Sequence, residues 1–292
     1  MKFLLNILIF SVILFLYIHI LFHLNTSNDL EIYQLNEPNK EKLEEVCDLK
    51  QPVLWDYPNE DILKLINRKN LLDTYGAFDI KIRKVKYDLK NNEEMYLPYS
   101  LVNGLQVIDK DKEKKYILEN NSDFIEETGL YKIFKLNDYL IRPALVSNIY
   151  YDIIFGNNSE TVFKYDLNYR NYFMVTEGEI KIKLSPPKGS KYLDEIKDYE
   201  NFEFRSPINP WNINKKYLQN FDKIKCLEVT LKPKNIIYIP PRWWYSIKFI
   251  SKSTIASFKY RTIMNNVAIC PHIIKGILQN QNIKRKITNV VN

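Results

Sequence analysis

Lys234-Asn235-Ile236-Ile237-Tyr238-Ile239-Pro240-Pro241-Arg242-Trp243-Trp244-Tyr245-Ser246-Ile247 is the most informative run in the chain. Ile236 to Ile239 is a short apolar run of strand type, and Trp244 to Ile250 is a second. Between them stands Pro240-Pro241, a rigid turn, because proline fixes φ and offers no backbone donor. Trp243 and Trp244 have two readings: stacking on a ligand or packing in core and rim, and packing is favoured for such large rings. Arg242 in the loop is read as a surface residue rather than an anion site.

Outward from this stretch the strand pattern repeats. Tyr150 to Phe155, Thr161 to Tyr165, Asn171 to Thr176, Glu179 to Leu184, Cys226 to Leu231 and Thr254 to Tyr260 are short strand candidates with turn residues between them. Regular short strands argue for a sandwich or barrel, not βαβ units. A polar insert, Lys188 to Asn220, interrupts them; its Asp194, Glu195, Asp198 and Glu200 lack the glycine and terminal Glu of an EF-hand and read as a solvated face. Upstream, Glu60 to Leu72 has the spacing of a short amphipathic helix, Ile80, Ile82 and Val85 suggest a strand, and Ser122 is a helix N-cap candidate. The expected organisation is 1–24 membrane anchor, 25–50 polar stalk, 51–268 folded domain and 269–292 helical basic tail, with the helix over Ile269 to Lys286.

Composition narrows the function classes. The chain has 292 residues, 46% of them hydrophobic, which suits one large globular domain. A net charge of +7 permits contact with anionic membranes or acidic partners. Its basic residues form no long stripe, only a short run from Lys275 to Lys286, so no nucleic-acid partner is expected. Cys47, Cys226 and Cys270 form no C-x-x-C pair, and an odd number cannot all pair internally; Cys226 is read as a buried thiol. The histidines are His19, His23 and His272, so no cluster of imidazole ligands can form in the domain, and His272 is read as a surface or capping residue.

Phe3 to Phe22 is apolar apart from Asn6, Ser11 and His19. About 20 such residues are enough to span a bilayer as a helix. The following Asn25-Thr26-Ser27-Asn28-Asp29 offers no small-residue cleavage pattern, which favours an uncleaved signal anchor. Lys2 before the segment, with Asp29 and Glu31 after it, orients the N-terminus to the cytoplasm and the domain to the lumenal or extracytoplasmic side. Sequons at Asn25, Asn120 and Asn157 are compatible with that side.

The run Tyr238-Ile239-Pro240 followed by Trp243-Trp244-Tyr245 resembles the last metal-binding strand of the JmjC/cupin-like Fe(II), 2-oxoglutarate oxygenases, which reads Tyr-Ile-Pro and then Trp-Trp-His. Thr161-Val162-Phe163-Lys164-Tyr165-Asp166, then Asn171, Gly178 and Pro186-Pro187, resembles that family's His-x-Asp strand and the Asn, Gly and Pro-Pro positions beyond it. Gln51-Pro52-Val53-Leu54 and the helix from Trp55 to Leu72 resemble its opening, so the likeness runs along almost the whole domain. It implies a mainly β fold with flanking helices, a double-stranded β-helix or jelly roll. Carried over residue by residue, it implies metal-site positions at Lys164, Asp166 and Tyr245. It implies cosubstrate-pocket positions at Thr161, Asn171 and Ile180, and pocket aromatics at Tyr238, Trp243 and Trp244. It also implies homodimerisation through C-terminal helices, with Ile273 to Leu278 as the candidate surface.

The departures lie where the chemistry would be. Two neutral imidazoles and a carboxylate make the facial triad of such enzymes. Here both His positions are replaced, by Lys164 and Tyr245, and the position of the cosubstrate-binding Lys is Ile180; Lys181 and Lys183 point to the other face by strand alternation. An ammonium has no acceptor lone pair, and a phenol must lose a proton of pKa near 10 to ligate. The first reading is therefore a retired oxygenase that needs neither Fe(II) nor 2-oxoglutarate. It would act as a membrane-anchored binding or structural module for a protein, peptide or glycan. In its interior Lys164 is expected to neutralise Asp166, with Tyr245 hydrogen-bonding nearby. The alternative is an active Fe(II)/2-oxoglutarate hydroxylase of protein side chains with an altered ligand set. A third reading is a purely structural membrane protein whose Lys284-Arg285-Lys286 contacts anionic lipid.

Overall fold

The computed structural model describes residues 2–85, 96–199 and 201–281. The chain opens with helix α1 (Lys2–Leu24), strand β1 (Tyr33–Gln34), α2 (Lys40–Asp48), β2 (Val53–Asp56), α3 (Asp61–Leu65) and α4 (Arg68–Tyr75). There follow β3 (Asp79–Lys84), β4 (Tyr96–Ser100), α5 (Leu101–Lys110), β5 (Tyr116–Leu118), α6 (Ser122–Glu127) and α7 (Leu130–Asn137). The β-rich half contains β6 (Val146–Asn157), β7 (Phe163–Tyr165), β8 (Arg170–Glu177), β9 (Ile180–Ser185), β10 (Ile196–Asp198) and β11 (Glu203–Ser206). Last come α8 (Leu218–Phe221), β12 (Leu227–Leu231), β13 (Asn235–Tyr238), β14 (Trp244–Phe249), β15 (Lys252–Thr262), α9 (Ile263–Ala268) and α10 (Cys270–Gln281).

The strands form two sheets, one ordered β1-β2-β13-β8-β15-β6-β5-β3-β4 and the other β10-β11-β7-β14-β9-β12. This is the expected double-stranded β-helix with flanking helices. Period-two alternation sends neighbouring residues into different cores. In β8, Tyr172 and Met174 join the helices on the outer face of the larger sheet, while Phe173 and Val175 face the smaller sheet. In β14, Tyr245, Ile247 and Phe249 point between the sheets and Trp244 points out to a third core with Phe163, Tyr165 and Phe204. Both faces of these strands are buried, which is why they read as near-continuous apolar runs. The turn from β8 to β9 needs Gly178: its φ is +79°, and a Cβ there would stand 2.4 Å from the Lys252 carbonyl oxygen.

Several expectations change at their edges. Residues 25–50 do not form a stalk. β1 pairs in parallel with β2, and α2 buries Leu43, Val46 and Cys47. Those three have i, i+3, i+4 spacing, which the surrounding charges of 40–45 conceal. The helix expected over Glu60 to Leu72 is two helices, broken at Ile66 because the Asn67 side chain caps α4 by accepting from the Asn70 N–H at 2.8 Å. The cap of α6 is Asn121, not Ser122; its carboxamide is held by the Lys81 backbone at 2.7 and 2.9 Å instead of by the helix. The polar insert supplies β10 and β11 to the smaller sheet. Cys226 is half-buried. The tail helix is seen to Gln281; Glu200 and Lys284-Arg285-Lys286 lie outside the described residues. α1 is long and apolar enough to cross a membrane.

Candidate functional site

β7 and β14 are neighbours, and Lys164 and Tyr245 are direct cross-strand partners. Val162, on the same face as Lys164, belongs to the core between the sheets, so Lys164 and Tyr245 stand side by side inside the barrel. Asp166 follows the last residue of β7 and accepts a hydrogen bond from the Tyr245 hydroxyl at 2.8 Å. The three positions read as a degenerate metal site are therefore brought together.

Their pairing differs from expectation. The ion pair of Asp166 is with Lys259, whose Nζ is 3.0 Å from its carboxylate, and Lys164 acts on it only from further away. The Lys164 ammonium turns to two carboxylates, 2.8 Å from Glu119 and 3.4 Å from Glu203. Arg83 closes the set: its Nη1 is 2.5 Å from Glu119 and 2.9 Å from Glu203, and its Nη2 is 2.8 Å from Glu203. Arg205, paired across the strands with Lys164, lies 3.4 Å from Glu203. The physical reason is reach. Asp166 falls just beyond the strand, at the barrel mouth beside β15, while Lys164 lies within it against β11.

Burial and charge together fix the protonation states. Burial opposes the Lys164 charge, but the Glu119 and Glu203 carboxylates outweigh it and raise its pKa. Burial likewise opposes ionisation of Glu119, and Lys164 and Arg83 more than offset it, holding that carboxyl below the ordinary range. For Asp166 burial is outweighed by Lys259 and then Lys164, and its pKa falls. Tyr245 is pushed well up by burial and then by the Asp166 charge. Asp152, on β6 in the same cavity, is raised by burial to about 6 although the Asn121 and Asn120 backbone N–H groups donate to it at 3.0 and 2.7 Å.

This donor set does not fit Fe(II). A protonated amine, a protonated phenol and a carboxylate already engaged by an ammonium leave no neutral nitrogen ligand. Among the described residues no group of three or more His, Cys, Asp or Glu gathers as a metal cluster. The space left beside these side chains is about 10 Å³. That is room for about one water, far below the roughly 300–1,000 Å³ of small-molecule pockets.

The remaining candidates have structural roles. Thr161 lines the cavity, and its hydroxyl accepts from the Ile247 N–H at 2.9 Å. Asn171 donates to the Ile239 carbonyl at 3.1 Å and so ties β8 to the chain beyond β13. Ile180 is sealed in the core between the sheets. Of the three expected pocket aromatics none lines the cavity; Phe173 and Tyr245 do. Tyr238 packs against Tyr172 on the outer face and accepts from Arg170 at 3.2 Å. Trp243 donates to the Ser27 carbonyl at 3.1 Å, and Trp244 donates to the Ser190 hydroxyl at 2.8 Å. His272 is a packing residue, stacked on Tyr199.

Sequence reasoning missed Arg83, Glu119, Asp152, Glu203, Arg205 and Lys259. A signal existed for some of them. Glu119 is two residues from Ile117, and Lys259 four from Ile255, both of which point between the sheets.

A family model described as a cupin-like domain matches residues 80–266. No curated protein matches the chain.

Proposed function

Since that match covers more than half of its residues, the chain belongs to the cupin-like domain family, and we propose that it is a membrane-anchored member whose oxygenase site has been retired. It acts as a binding or structural module held at the bilayer by α1, with the domain on the extracytoplasmic side. The observation that carries this reading is the placement of Lys164. The position that would offer an imidazole holds an ammonium fastened between Glu119 and Glu203. A hydroxylase with an altered ligand set would have to strip Asp166 from Lys259, deprotonate Tyr245 and find a further donor. With the barrel interior filled, any peptide or glycan is received on the outer surface and not in the old cosubstrate pocket.

The test is metal content. The full chain in detergent, loaded anaerobically with Fe(II) and desalted, is expected to retain far less than one iron per chain and to form no succinate from 2-oxoglutarate. Near-stoichiometric iron lost on Asp166→Asn would overturn the reading. Conversely, Lys164→His with Tyr245→His restores two imidazoles beside Asp166 and should create a Co(II) absorption band. A folded double variant that binds no metal would show that these positions are not the old ligand set.

A further inference from the structure

The exposed apolar residues at the foot of α1 are left uncovered by the described residues of the chain. Phe3 to Phe22 is 20 residues, about 30 Å at 1.5 Å per residue, which is the thickness of the hydrocarbon core with nothing to spare. The chain is fastened to the domain immediately after it. Lys50 sits 4.0 Å over the Phe22 ring and donates to the Asn25 carbonyl at 2.9 Å. Thr26 donates to the Pro241 carbonyl at 3.2 Å, and Trp243 to Ser27 at 3.1 Å. His23 is buried with its ring edge-on to Tyr169 at 5.0 Å, and α1 packs against α9. No free tether separates domain from anchor, so whatever surrounds His23 stands at the level where α1 leaves the hydrocarbon.

That surround combines charged groups with uncovered apolar side chains. His23, Leu145 and Ile263 line one cavity at this point together with Glu44, Asp48 and Arg170. Leu145 is 77% exposed and Ile263 58%. Val267, one turn further along the same face of α9, is 41% exposed. Single exposed apolar residues need no explanation, but a group ringing the root of a membrane-length helix does.

Resting on the anchor reading above, we propose that Leu145, Ile263 and Val267 insert into the interfacial layer of the bilayer, so that the domain lies directly on the lipid surface. The occupant is lipid and not a second copy of the chain, because the patch is continuous with the helix that enters the membrane. Such side chains bury their apolar area at the headgroup–acyl boundary, with Lys50 and Tyr169 beside them as the usual interfacial residue types.

The experiment uses the full chain with Cys226→Ser and Cys270→Ser, in which the remaining native thiol, Cys47, is fully buried, and adds one exposed cysteine at a time for a polarity-sensitive fluorophore. Labels go at Leu145, Ile263, Val267, Ile13 within α1, and Ile250. Ile250 is also apolar and 38% exposed, but it lies just before Lys252, which pairs with Asn157 at the other end of β6. That end is roughly 40 Å from Leu145 along a 12-residue strand. The protein is reconstituted in phosphatidylcholine vesicles with some phosphatidylserine and a headgroup-proximal nitroxide lipid. Labels at 145, 263 and 267 are expected to lose most of their emission while the label at 250 keeps it. If 13 responds to a deep nitroxide but 145, 263 and 267 match 250, the anchor stands and the docking proposal is overturned. The same holds if 263 cross-links to a second copy without quenching. If 13 is also silent, both fail together.

Discussion

Arg83 and Arg170 are each 1% exposed, and each is paired with carboxylate, yet the two regions around them are built differently. Arg83 lies between Glu119 and Glu203, with Lys164 on the same two acids; the side chains of all four are less than a tenth exposed. Every charge there depends on the others for compensation. Arg170 meets Asp48, whose side chain is 44% exposed, and its other contacts are neutral: the Cys47 carbonyl at 3.1 Å and the Tyr238 hydroxyl at 3.2 Å. It fastens α2 to the sheet at the edge of water. The lesson is that exposure of the carboxylate, more than burial of the arginine, decides how much a pair matters.

The sharpest break is Arg83→Met. It leaves two buried carboxylates under-compensated and should cost about 3–5 kcal/mol in urea unfolding. Lys164→Met should follow at about 3 kcal/mol, and adding Glu119→Gln should recover much of that loss because it removes the orphaned charge. A double variant no better than Lys164→Met alone would mean that the two groups are not coupled.

The pH dependence separates the carboxylates further. Asp152 has its pKa raised from the ordinary 3.8 to about 6 by burial. The native state therefore holds this proton more tightly than the unfolded chain, and stability falls as pH rises from about 4 to about 6. Asp152→Asn should flatten that fall and stabilise the protein at pH 7 by about 2 kcal/mol. Glu119 works in the opposite sense. Its lowered pKa gives stability that is full above the ordinary carboxylate range and lost as pH drops below it. Unfolding midpoints of both forms between about pH 3 and pH 7 would resolve the two slopes, and a D152N profile parallel to the parent would remove Asp152 from the account. The smallest effect is expected at the other arginine: Asp48→Asn should cost only about 0.5 kcal/mol, since water already screens that pair. A loss as large as that of Arg83→Met would erase the distinction.

These same residues show how far the sequence could be read. The Tyr238-Ile239-Pro240 and Trp243-Trp244-Tyr245 runs, with Lys164 and Asp166, were legible because strand order, turn chemistry and period-two alternation are local properties. So was the apolar length of α1, which only has to be counted. The resemblance placed Trp244 in the pocket beside Tyr245, whereas alternation along β14 sends Trp244 outward and Tyr245 inward.

The partners were not legible. Lys164 meets Glu119 across 45 residues and Glu203 belongs to β11, inside an insert that read as polar loop. Lys259 reaches Asp166 because β15 runs beside the mouth of the barrel, and no spacing along the chain encodes that. The supposed stalk failed for a related reason: Leu43, Val46 and Cys47 needed the outer face of the larger sheet to reveal them as core. Backbone period and apolar length are local, so the chain alone shows that Lys164 and Tyr245 share an inward face and that α1 can enter a membrane, but it did not show that Tyr238 and Trp244 lie outside the cavity. Which inward charges meet, and what α1 rests against, came from the tertiary structure alone, because pairing in a low-dielectric interior is set by distances between segments far apart in the chain.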